Sequence, residues 1–180
     1  MLFLPNIRDV IGSYDYSEAK ANQKTRQAAV AIILRDTYEG PEILFIKRAE
    51  KEGDPWSGHM AFPGGHKEIE DSDLRQAAER ETQEEIGLDL SIGQYLGALD
   101  HESAQPRGRV LDMLIAPHVF EIFDDVDFSI NYEVAQVVWA SLSDLTENRL
   151  HHTETMSMSG KPTIFNGYKL RGGHFVWGLT

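Results

Sequence analysis

The sequence predicts an α/β fold of the α+β kind, in which a helix that carries carboxylates packs on a β-sheet. Residues 73–86 place apolar side chains at helical spacing. Short β-branched and aliphatic runs precede and follow this segment, with turn-forming residues between them. The length of 180 residues suits a single domain over 1–180, and an apolar fraction of 41% with 26% charged residues is ordinary for a globular core.

The predicted order of elements is strands, helix, strands, a short helix and a last strand. The apolar runs at 28–34 and 43–47 are separated by turn-forming residues, so we expect them to form a hairpin. The helix at 73–86 follows. The remaining predictions are strands at 95–99, 110–120 and 135–140, a short helix at 142–149 and a final strand at 175–177.

The predicted helix has two carboxylates on the side that should pack on the core. At 100° per residue, one arc about 100° wide contains Leu74, Ala77, Ala78, Glu81, Glu85 and Leu88. An unpaired buried carboxylate is unfavourable, so it shifts its pKa, finds a partner or binds a metal. Clustered glutamates more often form a solvated face, but their position on the apolar arc disfavours that interpretation. We therefore expect a cation beside Glu81 and Glu85.

The residues around the helix define its ends and its neighbours. Capping residues precede it, and Gly87 is a typical left-handed helix terminator. Arg80 and Glu84 lie four residues apart, a spacing at which an ion pair can form. Upstream, Gly64 and Gly65 let the backbone approach a ligand, although a simple turn is the alternative. We expect this glycine loop to lie against the carboxylate helix.

Charge and composition exclude several classes of function. The formal net charge of −12 argues against a surface that binds nucleic acid or an anionic membrane, because both need clustered Lys and Arg. A polyphosphate would also be repelled unless metal ions intervened. The chain has no cysteine, which excludes a disulfide framework and a thiolate zinc site. No apolar run suits a signal peptide or a membrane span, so we expect a cytoplasmic location.

The segment at 64–88 resembles the signature of the Nudix hydrolases, G-x5-E-x7-R-E-U-x-E-E-x-G-U, where U is a bulky aliphatic residue. The C-terminal half of the signature is matched by the run R-E-T-Q-E-E-I-G-L that starts at Arg80, in which Thr82 is a weak match. The N-terminal half departs in spacing, because Arg80 follows Glu70 after nine residues instead of seven. The acidic residue of that half is therefore either Glu70 or Asp71.

Further motifs resemble the coenzyme A pyrophosphatase branch of this superfamily. Gly58 precedes the F-P-G-G run as in that branch, and similarities extend to 131–134 and 177–180. The upstream motif of the branch is otherwise unmatched, because its Thr and Ser are missing and 54–56 stands where an Arg is expected. The resemblance therefore supports the reaction type more than the substrate. Related proteins generally continue from W-G-L-T into a further helix, which this chain would lack.

The resemblance implies a Nudix-type α/β/α sandwich with a mixed β-sheet, and hydrolysis of a diphosphate linkage with Mg²⁺ or Mn²⁺. Hard divalent ions neutralise the diphosphate and orient the attacking water. The implied metal ligands are Glu81 and Glu85, with Glu84 as a further ligand or water activator. Arg80 would orient the carboxylates. Glu133 would be an added ligand or general base, with simple exposure as the alternative.

The expected substrate contacts are Gly64, Gly65, Arg48, Arg107 and Arg109. Arg107 and Arg109 could grip a terminal phosphate, but a basic loop more often faces solvent. The His151-His152 pair suggests a metal site, yet adjacent side chains on an extended chain point apart, which favours a surface loop. Trp56, Trp139 and Trp177 could stack a base, but packing in the core or at a rim is the favoured interpretation.

Three hypotheses for the function follow. The favoured one is a Nudix pyrophosphatase, dependent on Mg²⁺ or Mn²⁺, that cleaves coenzyme A or a related nucleoside diphosphate derivative. The second is the same chemistry on ADP-ribose, a nucleotide sugar, a dinucleoside polyphosphate or an oxidised nucleotide. The third is a non-catalytic ligand-sensing module, which the intact R-E-x2-E-E run disfavours. The oligomeric state is left open, with a homodimer as one option.

Overall fold

The computed structural model describes residues 3–22, 24–54, 56–104, 112–158, 161–178 and 180. A 3₁₀ turn at Leu90–Ile92 follows the second helix. The helices and strands, in chain order, are α1 (Leu4–Gly12), β1 (Arg26–Arg35), β2 (Glu42–Arg48), β3 (Met60–Ala61), β4 (Gly64–His66), α2 (Leu74–Ile86), β5 (Gln94–Ala98), β6 (Glu102–Ser103), β7 (Met113–Ile122), β8 (Val134–Ser141), α3 (Leu142–Thr146), β9 (His151–Met158), β10 (Lys161–Lys169) and β11 (Phe175–Trp177).

The main sheet is mixed and has eight strands. Its principal path runs β3-β2-β1-β7-β5, while β4 pairs with β1, β6 with β7 and β8 with β2. β1 and β7 are parallel along their whole length, and the other pairings in this sheet are antiparallel. A second, antiparallel sheet has the order β11-β10-β9. The mixed α+β architecture predicted from the sequence is therefore confirmed.

The main sheet buries both of its faces. One face receives α2, whose Ala77 and Ala78 are fully buried against a hydrophobic cluster that includes Ala29 and Ala116. These small side chains let the helix approach the strands closely. The opposite face packs against α1 and the second sheet, in a cluster that includes Leu4 and Val176. Helix α2 is thereby fixed on the sheet, which also fixes its carboxylates.

Local signals at both ends of α2 act as the sequence predicts. The Asp73 side chain accepts a hydrogen bond of 2.8 Å from the backbone N–H of Gln76, which caps the helix. At the other end Gly87 adopts a left-handed φ of 71°, and its N–H bonds to the Gln83 carbonyl oxygen. The predicted helix at 73–86 is thus confirmed as Leu74–Ile86 with Asp73 as its cap.

Several element boundaries differ from the prediction. The hairpin at 28–34 and 43–47 and the strand at 135–140 are confirmed with extensions of one or two residues, the strand at 95–99 is shifted to 94–98, and the strand at 175–177 is confirmed without change. β7 continues to Ile122, while residues 110 and 111 lie outside the described residues. The short helix ends at Thr146 instead of at residue 149, because the chain turns through Asn148, which has a positive φ of 57°.

The prediction of a surface loop at His151 and His152 was wrong. Both residues lie at the start of β9, which pairs along its length with β10. The two exposed rings point apart, since His151 contacts the Tyr168 ring and His152 contacts the Phe175 ring. None of the described side chains of β9 is fully buried, so this strand lacks the alternation of apolar and polar residues that predicts strands.

The N-terminal helix α1 was not predicted. Its Arg8 guanidinium donates two hydrogen bonds of 2.5 Å to the carboxylate of Glu121 on β7. Glu121 is buried, so this ion pair fastens α1 to the main sheet. No helix in the described ranges is long and apolar enough to cross a membrane.

Candidate active site

Glu85 is the most deeply buried carboxylate on α2, with 3% of its surface exposed. The backbone N–H of Gly64 donates a 2.9 Å hydrogen bond to its Oε2. The pKa of Glu85 is raised to about 7, mainly by burial, with smaller contributions from the carboxylates of Glu81 and Glu133, while the Gly64 N–H and Arg48 oppose the rise. In the described part of the chain no salt bridge compensates this side chain. Among the described residues, an ionised Glu85 therefore lacks the paired cation that a buried carboxylate normally has.

Glu81 lies one turn earlier on the same face, against the glycine segment. A Cβ atom at Gly65 would lie only 2.4 Å from the Glu81 carboxyl group, so a side chain there would displace that carboxyl group. Gly64 has a φ of 149°, and a Cβ atom on it would meet the carbonyl oxygen of Ala29 at 2.2 Å. The two glycines thus bring β4 between β1 and the helix carboxylates. The expectation that this segment lies against the carboxylate helix is confirmed, although the segment is a strand.

The environment of Glu81 also disfavours its charged form. Burial is the main cause that raises its pKa, and Glu84 and Glu133 act in the same direction. Arg80 opposes them through a salt bridge of 3.1 Å to Glu81 Oε1. Glu81, Glu85 and Glu133 thus form one cluster of like charges.

Arg80 connects the helix to the segment before it. Its Nε and Nη2 each donate a 3.0 Å hydrogen bond to the buried carboxylate of Asp71, and Nη2 also bonds to the His66 carbonyl oxygen at 2.9 Å. The Arg80 guanidinium therefore lowers the pKa of Asp71. Glu70 is exposed. Of the two acids that the sequence left open, Asp71 is the one that pairs with Arg80.

Glu84 and Glu133 approach Glu81 and Glu85 from different elements of the fold. The Glu84 side chain is 56% exposed and pairs with Arg80 at 3.3 Å. Glu133 stands just before β8, where its carbonyl oxygen accepts a 2.8 Å hydrogen bond from the N–H of Ala49. The preceding Asn131 bonds through its N–H to the Glu85 carbonyl oxygen at 2.9 Å. These backbone bonds fix Glu133 beside the C-terminal half of α2.

Thr82 explains the weak match in the signature. Its side chain is fully buried, and its hydroxyl donates a 2.7 Å hydrogen bond to the Ala78 carbonyl oxygen. With its hydroxyl paired, Thr82 can occupy a core position that usually takes an aliphatic side chain.

Of the other residues considered as substrate contacts, Arg48 lies near the cluster and the tryptophans do not contribute to it. Arg48 ends β2 close to Glu85, whose pKa it lowers. Arg107 and Arg109 lie outside the described residues. Trp56 is exposed, Trp139 packs beneath the Arg35 guanidinium at 4.2 Å, and Trp177 packs against Phe165 with ring centroids 4.4 Å apart.

The donor set fits a hard divalent cation. Glu81, Glu85 and Glu133 supply carboxylate oxygens, and no arginine or lysine neutralises Glu85 in the described ranges. Among those residues, no three acidic or imidazole groups stand close enough to form a complete metal site by themselves. This agrees with the behaviour of Mg²⁺, which keeps several waters and shares its coordination between a few carboxylates and substrate phosphates.

Asp54 is a residue whose role the sequence did not reveal. In the sequence this position stands out only because an arginine is expected near it, but in the structure the Asp54 carboxylate pairs with Arg48 at 3.0 Å. The six-residue separation of Arg48 and Asp54 carries no helical or strand periodicity. No sequence signal could therefore have identified this pair.

A carboxylate helix on a mixed sheet, facing a glycine segment, defines the class of the protein as a Nudix domain. A profile of the NUDIX domain matches residues 24–157, and the chain belongs to this family. Solved structures agree at the level of the fold. A C. elegans Ap4A hydrolase binary complex superposes with a TM-score of 0.56 and 21% identity, covering 68% of this chain and 84% of that chain.

Curated relatives extend the similarity over most of the chain. A Nudix hydrolase NudL of Enterobacter sp. (strain 638) is 31% identical over 86% of this chain and 77% of its own length. The mouse mitochondrial coenzyme A diphosphatase NUDT8 is 27% identical over 90% of this chain and 76% of its own length. The chain spans only 55% of Arabidopsis thaliana Nudix hydrolase 15, mitochondrial, and 19% of a fission yeast protein that shares 47% identity over 62 residues.

Proposed function

We propose that this Nudix domain hydrolyses the diphosphate linkage of a nucleoside diphosphate derivative with the help of a divalent metal ion. The observation that carries the proposal is the buried Glu85, which is held by Gly64 without a compensating arginine in the described part of the chain. Arginine-paired carboxylates elsewhere in the chain are structural. An unpaired one beside Glu81 and Glu133 is suited to a cation.

The residues of the cluster have distinct parts in this chemistry. Glu81 and Glu85 would hold Mg²⁺ or Mn²⁺, with Glu84 as a further ligand or water activator. The ion, when bound, neutralises the diphosphate and lowers the pKa of a water molecule. Arg80 keeps the carboxylates in place through its bonds to Asp71 and Glu81. Each of these assignments is a proposal that the structure makes testable.

Glu133 and the glycine segment complete the proposed site. The Glu133 carboxylate would either ligate the ion or accept a proton from the attacking water. Gly64 and Gly65 lie against the cluster, where the lack of side chains lets their backbone approach the Ala29 carbonyl oxygen and the Glu81 carboxyl group closely, and this segment would contact the substrate through its backbone. Arg48 supplies positive charge beside Glu85 and would bind a phosphate oxygen.

Coenzyme A or one of its thioesters is the substrate we favour. The support comes from Gly58, the F-P-G-G run and the similarities at 131–134 and 177–180, together with 27% identity to a mouse coenzyme A diphosphatase. Cleavage at the diphosphate would give adenosine 3′,5′-bisphosphate and a 4′-phosphopantetheine product. Arg107 or Arg109 would then meet the 3′-phosphate.

ADP-ribose, nucleotide sugars and dinucleoside polyphosphates remain the alternative substrates, because this chain lacks the Thr and Ser of the upstream motif. A panel of these compounds with coenzyme A and dephospho-coenzyme A tests the choice. The products should be identified by mass. A kcat/KM for ADP-ribose or a nucleotide sugar well above that for coenzyme A would overturn the substrate and leave the reaction type in place.

The same panel tests dependence on metal. We expect turnover to fall to background with excess chelator and to return with Mg²⁺ or Mn²⁺, because a chain of net charge −12 holds few cations for a diphosphate. Undiminished hydrolysis in chelator would contradict the mechanism. Tight binding of the compounds without any turnover would instead support the non-catalytic sensing hypothesis. The cytoplasmic location stays a prediction, since two of the relatives are named mitochondrial. The homodimer also stays a prediction.

A further inference from the structure

The backbone at Arg48 is anchored to two parts of the molecule that surround the carboxylate cluster. Its own N–H donates a 2.9 Å hydrogen bond to the His59 carbonyl oxygen, and the next N–H, of Ala49, bonds to the Glu133 carbonyl oxygen at 2.8 Å. The pairing of β2 with β8 shifts register between Lys47 and Arg48. The backbone of Arg48 is therefore held in a fixed position next to Glu133.

The side chain of Arg48 is held by Asp54. Arg48 Nη2 donates a 3.0 Å hydrogen bond to Asp54 Oδ2, while Asp54 Oδ1 accepts a 2.9 Å bond from the N–H of Trp56. Both Asp54 oxygens are thus occupied, and these bonds lower the pKa of Asp54. The Asp54 side chain is only 16% exposed, so water screens the pair weakly.

A buried donor of Arg48 lacks a partner among the described residues. Its Nε–H is buried and makes no hydrogen bond to any described residue. A buried donor left unpaired destabilises a protein, so such a group calls for an acceptor. The N–H of Ala49, the next residue, bonds to the Glu133 carbonyl oxygen, so Arg48 stands at the edge of the carboxylate cluster. The acceptor would therefore sit beside this cluster, where the proposed diphosphate would bind.

We propose that Asp54 is a positioning residue, which holds the Arg48 guanidinium so that its free donor binds a phosphate oxygen of the substrate. The inference rests on the proposed function for the identity of the ligand. The contact of Asp54 with Arg48 Nη2 would thereby set the orientation of the whole guanidinium group.

Orientation and simple charge predict opposite effects for Asp54→Ala. Removal of a negative charge near the site should strengthen the binding of an anion. Loss of the anchor should instead let the Arg48 side chain reorient, which weakens binding and disturbs the geometry of the reacting phosphate. We expect the second effect to win, with KM raised about tenfold and kcat lowered less.

A double-substitution cycle isolates the action of Asp54 through Arg48. Arg48→Ala alone should raise KM at least tenfold, and adding Asp54→Ala to it should change little more. Arg48→Lys keeps the charge but lacks the Nε donor, so it should not restore the wild-type KM. The matched control is Asp144→Ala, because Asp144 is also 16% exposed and also pairs with an arginine, Arg149, at 3.1 Å on α3. This control should leave KM unchanged.

A binding measurement separates this inference from the proposed function. Calorimetry with α,β-methylene-ADP and Mg²⁺ reports on the diphosphate contact without turnover. We expect Asp54→Ala and Arg48→Ala each to weaken binding at least fivefold, and Asp144→Ala to have no effect. A wild-type protein that turns substrate over, with Asp54→Ala unchanged in KM and in binding, would overturn the role of Asp54 only. Weakened binding in a protein that hydrolyses nothing would support the role of Asp54 and overturn the proposed function.

Discussion

Buried carboxylates occur in two kinds of surroundings in this molecule. Asp71 and Glu121 are 4% and 1% exposed, and each accepts two hydrogen bonds from one arginine. Glu85 is equally buried at 3%, but within the described ranges its carboxylate accepts a single hydrogen bond, from the N–H of Gly64. The negative charges of Asp71 and Glu121 are each compensated by an arginine. In the described part of the chain no salt bridge compensates the charge of Glu85, and this difference distinguishes the candidate site.

The same contrast appears in the response of the groups to their surroundings. The Arg80 guanidinium lowers the pKa of Asp71, so this carboxylate remains charged in the fold. Burial raises the pKa of Glu85 to about 7, so its charged form is disfavoured until a cation arrives. Burial of an acidic side chain therefore does not by itself identify a candidate functional residue. The lack of a paired cation among the described residues is what distinguishes Glu85 from the other buried acids.

The largest expected effect comes from neutralising the unpaired carboxylates. Glu85→Gln and Glu81→Gln should each lower kcat at least about a hundredfold, about 3 kcal/mol of the activation barrier, because each removes charge from the metal that stabilises the transition state. Folding should survive, since glutamine is no harder to bury. Glu79→Gln is the control, because Glu79 lies on the same helix and pairs with Arg75 at 2.7 Å. Near-wild-type turnover of either variant at saturating Mg²⁺ would remove that residue from the site.

The next effect is on stability in metal-free protein. The folded-state pKa of Glu85, about 7, lies above its ordinary value of 4.5, so the stability gained by its protonation is complete below pH 4.5. That contribution is lost as the pH rises through 7. The difference between the two pKa values corresponds to about 3 kcal/mol in the free energy of unfolding. Arg48, Glu81, Glu133 and the Gly64 N–H all face this carboxylate, and their influence is included in that value.

The measurement compares denaturant unfolding of the wild type and Glu85→Gln between pH 4.5 and pH 7 in chelator. Buried His118 opposes the trend of Glu85, because burial lowers its pKa to about 4 and its contribution is lost as the pH falls from 6.5. Both proteins contain His118, so the difference between them isolates Glu85. The wild type should weaken relative to Glu85→Gln as the pH rises. A constant difference would contradict the assigned burial of an uncompensated carboxylate.

A smaller effect, on the free energy of unfolding, should distinguish Asp71, which pairs with Arg80, from the neighbouring Glu70. Asp71→Asn should lower the free energy of unfolding by about 2 kcal/mol, because it weakens a buried ion pair and leaves Arg80 without its main partner. Turnover should fall less than tenfold, since Arg80 still contacts Glu81. The exposed Glu70→Gln should change neither quantity. A larger loss of turnover with Glu70→Gln than with Asp71→Asn would reverse the assignment of this acid.

The sequence predicted the features that depend on local chemistry. Helix α2 could be found because its cap, its glycine terminator and its apolar arc all lie within one segment. The position of Glu81 and Glu85 on the buried face followed from the same periodicity. The arc could not show which buried acid has a partner, because the partner of Asp71 lies nine residues away and that of Glu121 lies 113 residues away.

Features that depend on tertiary contacts escaped prediction for the same reason. Helix α1 is short, and its stabilising contact is the pair of Arg8 with Glu121 on a distant strand. The hairpin of β9 and β10 has largely polar sequences and is held by pairing between the strands. The contact between Arg48 and Asp54 joins the end of a strand to an irregular segment. Only the folded arrangement reveals these partners.

The smallest expected effect concerns Glu84, which lies between the two kinds of carboxylate. Its side chain is 56% exposed and its pair with Arg80 is 3.3 Å long, so water screens its charge more than that of Glu85. Glu84→Gln should therefore lower kcat about tenfold, about 1.4 kcal/mol, with little change in thermal stability. Titrating Mg²⁺ separates the two proposed roles: a ligand requires more Mg²⁺ for half-maximal activity after substitution, whereas a water activator loses kcat at every Mg²⁺ concentration. A loss as large as that of Glu85→Gln would show that exposure does not rank these carboxylates, and no loss would place Glu84 with the control Glu79.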